Sequence, residues 1–352
     1  MNSSKPIWSE PPTYYEMRTH DTNVEGILSS LANGKSRIAV QNKSTLDLMI
    51  SYSVYKACSL KWLIEVTPTL FSYAETLHLT QPLNFIIRRT IYNQFLGGES
   101  MEQCKATMAR LKNNGIGVIL ALSAETDVKE QDVKEQDEQD KDRLSKGFNH
   151  KADEITRITK DCILSASAQP GSFVAVKVSA LISPSLLQIV TDSLSQLYRS
   201  FEEHAGGQTM SQSQVCHVVV QHRGQVNVDE NVLDIVHNCS YSEIDLVEFK
   251  HMLSLNRPAV LDLLSNVLTW QDKQDWVQMM RRLDEICSLA KSCGVKILID
   301  AEQTYLQLAI DQAALVMEQR HNKLGACPTV YNTCMVAQIS QVLQMLSNLP
   351  YW

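Results

Sequence analysis

Four short apolar runs divide this chain, and between them apolar residues recur at intervals of three and four. The runs are Gly115-Ile-Gly-Val-Ile-Leu-Ala-Leu122, Ser172-Phe-Val-Ala-Val-Lys-Val178, Val295-Lys-Ile-Leu-Ile-Asp300 and Pro328-Thr-Val-Tyr-Asn-Thr333. Each is too short for a helix and reads as a buried strand. Strands are therefore predicted near residues 117–122, 173–178, 295–300 and 328–333. The periodic stretches predict helices. Met101, Cys104, Met108 and Leu111 mark one helical face, and Leu187, Val190, Leu194 and Leu197 another. Met279, Leu283, Ile286 and Ala290 mark a third, ahead of Gly294, which can end a helix as its left-handed cap. Residues 303–320 are predicted helical again, whereas residues 215–220 fit either a further strand or part of an excursion.

The pattern divides the chain unevenly. Residues 1–40 are polar, carry Pro11-Pro12, and are expected to be loosely ordered. Residues 41–112 form an N-terminal helical region, and residues 113–333 hold the four strands. A charge-rich stretch at 126–147 contains the direct repeat Asp127-Val-Lys-Glu-Gln, Asp132-Val-Lys-Glu-Gln. It reads as a solvated surface loop, since such a composition cannot form a core. A longer insertion covers about residues 182–294, and residues 334–352 form a separate amphipathic tail.

Composition narrows the function classes. With 352 residues and 44% hydrophobic content, the chain can bury a sizeable core. A net charge of −7 without a basic stripe argues against nucleic-acid binding. Nine cysteines without regular spacing point to free thiols, and no zinc-ligand pattern occurs. The most apolar N-terminal stretch, 46–70, is interrupted by Asp47, Lys56, Lys61 and Glu65, too polar for a membrane span. The first residues carry Glu10, Glu16, Asp21 and Glu25, unlike a basic, acid-poor transit peptide.

Buried strands alternating with helices imply an α/β fold with a parallel sheet. A doubly wound sheet and a (β/α) barrel both fit. Gly115-Ile-Gly117 precedes its strand and lacks a third glycine, so the dinucleotide fingerprint is missing. Polar residues stand near the carboxyl ends of all four strands: Glu125 and Asp127, Lys177, Asp300, and Asn332-Thr333. Barrels carry their chemistry at that end. On its own, Lys177 reads equally as structural or functional. Asp300 reads by position first as a helix cap, with Gln303 three residues on.

Several segments together resemble the proline dehydrogenases of eukaryotic mitochondria. Asp300-Ala-Glu-Gln-Thr-Tyr305 is similar to that family's signature, and Val174-Ala-Val-Lys-Val-Ser-Ala-Leu181 to its lysine strand. Arg88-Arg-Thr-Ile-Tyr-Asn-Gln-Phe-Leu-Gly-Gly-Glu99 resembles its helix ending in Phe-x-x-Gly-Glu. Asn42-Lys-Ser-Thr-Leu-Asp-Leu48 and Pro328-Thr-Val-Tyr-Asn-Thr333 resemble two further elements, in the family's order. Hydroxyproline dehydrogenases carry nearly the same motifs, and these residues do not separate the two.

The resemblance implies a (β/α)8 TIM-barrel fold, of which about the first four strands are matched. It implies oxidation of L-proline to 1-pyrroline-5-carboxylate, with hydride passed to FAD and electrons to a quinone acceptor. It also implies a mitochondrial location at the inner-membrane surface. Lys177 falls on the lysine that binds the substrate carboxylate, Asp300 on the catalytic aspartate, and Ala301 on a residue touching FAD. Glu302 is expected to be a network or capping residue, and Glu125 and Asp127 to orient a loop. The departures begin at Cys334-Met335, where the family has Tyr-Gln, and no resemblance is found from there to Trp352. The family's second half, with its flavin and arginine contacts, is unmatched. The chain as written is thus expected to hold FAD weakly and not to turn over proline. The alternative is a non-catalytic relative acting as a binding partner.

Overall fold

A computed structural model describes residues 43–98, 100–113, 115–122, 138–169, 171–222, 243–264, 267–323 and 325–334. The chain forms two compact units, Met1–Gly117 and Val118–Trp352. Expectations for residues 1–40, for the repeat at 127–136, and for Glu125, Asp127 and Met335 lie outside the described residues.

The first unit is helical. Helices α1 (Thr45–Cys58), α2 (Lys61–Thr76) and α3 (Thr80–Ile87) lead through a π-helical turn, Arg88–Tyr92, to α4 (Met101–Asn113). Ser44 caps α1, its Oγ accepting the Asp47 N–H at 3.1 Å. Ser51 donates to Gln94, and Tyr55 meets Phe95 edge-on at 5.9 Å, so α1 packs on the chain ahead of α4. A Cβ at Gly98 would stand 2.6 Å from the Gln103 Cβ and 2.9 Å from the Cys104 nitrogen. That close approach is the physical reason for glycine in the Phe95-Leu-Gly-Gly-Glu99 segment.

The second unit is built on a parallel sheet. Strands β1 (Ile119–Ala121), β2 (Phe173–Val176), β5 (Lys296–Ile299) and β6 (Val330–Asn332) lie in the order β1-β2-β5-β6. All three pairings are parallel. These are the four expected strands, each somewhat shorter than its apolar run. Helix α5 (Glu138–Ala166) connects β1 to β2, and α11 (Thr304–His321) connects β5 to β6. Between β2 and β5 run α6 (Pro184–Ala205), α7 (Gln212–His222), α8 (Leu246–Met252), α9 (Pro258–Leu263) and α10 (Trp270–Cys293). A two-residue antiparallel pair, β3 (Met210–Ser211) with β4 (Glu243–Ile244), closes that excursion.

Of the two readings open for residues 215–220, part of the excursion holds and a strand does not: they sit inside α7, with Val215, Val218 and Val219 buried at helical spacing. Here tertiary packing overrides the β preference of valine. One expectation needs correction: the segment read as a loop through residue 147 is already helical from Glu138.

The helices explain themselves locally. Thr269 and Asp272 form a reciprocal capping box at the start of α10. Its predicted face, Met279, Leu283, Ile286 and Ala290, is fully buried. Gly294, at φ 66°, ends it as expected, and β5 follows at once. Leu187, Val190, Leu194 and Leu197 of α6 are likewise buried. Phe201 of α6 stacks on Phe249 of α8 at 4.5 Å.

Side chains alternate across the sheet. Leu120, Val174, Val176, Ile297, Ile299 and Val330 are buried beneath the helices. Phe173, Ala175, Lys296, Leu298 and Tyr331 stay partly accessible on the other face. Phe173 and Tyr331 lean together over β5 at 5.7 Å, and the Lys296 Nζ stands 5.1 Å from the Phe173 ring.

Candidate functional site

The chemistry-bearing residues gather where β2, β5 and β6 end. Val176 pairs with Ile299 in parallel register, and the Asp300 N–H donates to the Val176 carbonyl at 3.0 Å. Lys177 keeps extended backbone angles, φ −89° and ψ 122°. One step beyond the Val176–Ile299 pair therefore sets Lys177 beside Asp300. Neighbouring parallel strands run about 4.8 Å apart, and paired residues share a face. That face is the accessible one, since Lys177 continues the alternation of Phe173 and Ala175, and Asp300 that of Lys296 and Leu298.

Asp300 is not the cap of the following helix. Gln303 occupies that position, without a side-chain bond, because α11 begins at Thr304. The spacing that suggested a capping box thus leaves the Asp300 carboxylate outside the helix start.

The loop carrying Asp300 is held from three directions. Toward β2, the Glu302 carboxylate accepts both donors of Ser179: the N–H at 3.0 Å on Oε1 and the hydroxyl on Oε2. Toward β6, the Ala301 N–H donates to the Thr333 Oγ1 at 2.5 Å, and that hydroxyl donates to the Ile299 carbonyl. Toward α11, the Glu302 N–H donates to the Gln307 Oε1 at 3.1 Å. Glu302 is the network residue its position suggested.

A buried relay continues behind the sheet. Gln307 Nε2 and Asn332 Nδ2 both donate to the Asp311 Oδ1, at 2.8 and 2.9 Å. The Asn332 N–H donates to Glu318 at 3.1 Å. Burial pushes the Asp311 carboxyl above its ordinary range, outweighing the bonds from Asn332 and Gln307 and the attraction of Lys250. Burial raises Glu318 in the same way. On the other side of Lys177, the turn after β2 is anchored by Arg282, which is 2% exposed. Its guanidinium donates to the Leu181 carbonyl at 3.2 Å, to Asp153 at 2.7 Å and to Asn149 at 2.9 Å.

Sequence reading found Lys177, Asp300, Ala301 and Glu302, and the structure brings all four to one end of the sheet. It also placed Thr333 at a strand end, and it missed Ser179, Gln307, Asp311 and Arg282. A signal existed for three of them: Gln307 and Asp311 interrupt the apolar face of α11, and Arg282 stands beside Leu283 in that of α10. Polar groups there must find partners when buried.

The accessible face suits a flat ring system in part. Phe173, Ala175, Leu298 and Tyr331 give it a largely apolar floor below Lys177 and Asp300, with the Lys296 ammonium over the Phe173 and Tyr331 rings. Ala301, with its N–H already committed to Thr333, offers a small methyl group and a carbonyl.

The family model of proline dehydrogenase matches residues 104–348, more than half of the chain, and so runs past Cys334, where the resemblance was expected to end. The chain belongs to the proline dehydrogenase family. It is 26% identical over 296 residues to "Proline dehydrogenase 1, mitochondrial" of Dictyostelium discoideum, covering 83% of this chain and 41% of that protein. The Bos taurus protein of the same name is 23% identical over 85% of this chain and 60% of its own. The "Hydroxyproline dehydrogenase" of Xenopus laevis is 20% identical over 83% of this chain and 49% of its own. The chain spans about half the length of the curated relatives it matches. No solved structure matches it significantly.

Proposed function

We propose that the site formed by Lys177, Asp300 and Ala301 serves the FAD-dependent oxidation of L-proline to 1-pyrroline-5-carboxylate, with the electrons passed to a quinone. The observation that carries this reading is the cation and anion side by side on one sheet face, in a chain of this family. Proline is a zwitterion, and such a pair is its electrostatic complement. The Lys177 ammonium takes the carboxylate in a charge-assisted hydrogen bond. The Asp300 carboxylate accepts from the substrate's ring amine. Together they fix the ring at two points, so that its CH2–NH edge has a defined direction.

Oxidation removes a hydride from the ring carbon beside nitrogen and a proton from the nitrogen, leaving a C=N bond. Bound flavin would supply the hydride acceptor. Ala301 and the apolar floor of Phe173, Leu298 and Tyr331 would hold the ring system, and the same surface limits water at the reacting edge.

In this reading the sheet is part of a (β/α)8 barrel. A doubly wound sheet is covered by helices on both faces. Here the described helices bury one face, and the other stays accessible, as a barrel's inner face does before neighbouring strands fill it. The names of several relatives include "mitochondrial", which supports that location. Exposed Leu46, Trp62 and Phe85 give the N-terminal unit an apolar exterior suited to the inner-membrane surface, where quinone is found. Among the described residues no helix is long and apolar enough to cross a membrane.

Titration calorimetry of the chain with L-proline, 4-hydroxyproline and an acyclic amino acid tests the substrate class. L-proline is expected to bind with a dissociation constant on the order of millimolar, and the acyclic amino acid more weakly. Tighter binding of 4-hydroxyproline would move the assignment to the second reading, which the Xenopus relative favours. Failure of both cyclic amino acids to bind would overturn it.

A further inference from the structure

We infer that Glu302 is a positioning residue: by clamping Ser179 it sets the spacing of Lys177 and Asp300. This rests on the reading of that pair as the proline site. Lys177 lies two residues before Ser179, and Asp300 two residues before Glu302. The two Ser179–Glu302 hydrogen bonds close a ring through both strand ends. At its base stands the last ladder bond, Asp300 N–H to the Val176 carbonyl.

The described β2–β5 pairing ends there, and the two termini diverge into different turns. The β2 end enters the 3-10 turn Val178–Ala180, and the β5 end crosses to α11. Both Glu302 carboxylate oxygens are engaged by donors of one residue, a two-point grip that fixes direction as well as distance. The remaining ties of the loop, Ala301 to Thr333 and Glu302 N–H to Gln307, hold it to β6 and α11. Glu302–Ser179 is a side-chain bond that spans the gap between the turns carrying Lys177 and Asp300. A pair that must meet a carboxylate and an amine of one small ring tolerates little change in spacing.

The test uses the whole chain with L-proline as the probe, comparing Ser179→Ala, Glu302→Gln, the double substitution and Ser179→Thr. Loss of one or both clamp bonds is expected to weaken proline binding about twofold to tenfold. The double substitution should be no weaker than the single ones, because the two residues act as one unit. Ser179→Thr, which retains the N–H and a hydroxyl, should restore binding, which a merely structural role for the clamp would not require. Equal affinity in the unaltered chain, Ser179→Ala and Glu302→Gln would overturn the clamp and leave the proline reading standing. No binding by the unaltered chain would overturn the proline reading, and the inference with it. If Glu302→Gln does not fold, the Ser179→Ala and Ser179→Thr pair decides alone.

Discussion

Lys177 and Asp300 stand in neighbouring positions at the ends of β2 and β5, one step past the pairing of Val176 with Ile299. They are 123 residues apart in the chain, yet the register of a parallel sheet makes them neighbours on one face. A shift of one residue in that register would send one of them to the buried side. The hydrophobic alternation Val174, Val176 and Ile297, Ile299 prevents it, because these residues are buried beneath the helices.

The turn that follows Lys177 depends on Arg282. Its charge is paired with Asp153, and it also satisfies the Leu181 carbonyl and Asn149. Asp153 is exposed, so Arg282→Ala would leave chiefly the buried Leu181 carbonyl unmatched and is expected to cost about 1–3 kcal/mol. Urea denaturation followed by circular dichroism measures this. A loss below about 1 kcal/mol, the scale of an exposed pair, would show that the guanidinium does not hold the turn.

Gly294 links α10 to β5 in a left-handed conformation, φ 66°. A Cβ there meets no neighbour within 4 Å, so Gly294→Ala isolates backbone strain from crowding. The expected destabilisation is about 1–2 kcal/mol. An unchanged urea midpoint would mean that the helix ends in another way.

Asp311 makes stability depend on pH. Burial holds its carboxyl above the ordinary value of 3.8 in the folded chain. The folded state therefore binds this proton more tightly than the unfolded state does. The group's favourable contribution is complete below the unfolded value and is lost as pH rises through the folded one. Asp311→Asn keeps an oxygen for the Gln307 and Asn332 donors but carries no charge. Its stability relative to the unaltered chain should rise between about pH 4 and about pH 8. Thermal melts at both ends of that range check it; a fall with rising pH would contradict the sign.

Much of this site was legible in the sequence, for a physical reason. Short apolar runs ending in a polar residue mark parallel strands, and that pattern set Lys177 and Asp300 at strand ends, whereas their proposed roles came only from the family resemblance. What the pattern could not express was long-range pairing. Ser179 looks like any small polar residue until Glu302, 123 positions away, takes both its donors. Asp300 fitted a helix cap by spacing, and only the true start of α11 at Thr304 frees it from that role. The valines at 215–220 carried a strand preference that burial in α7 overrode.

The central claim is that Lys177 and Asp300 form one substrate site. The most direct measurement is calorimetric titration of L-proline into the unaltered chain, Lys177→Met and Asp300→Asn, with thermal melts to show that each is folded. Removing either charge is expected to weaken binding by about tenfold or more, the scale of a lost hydrogen bond to a charged group, with melting temperatures nearly unchanged. Affinity for L-proline equal to that of the unaltered chain in both folded variants would contradict the account.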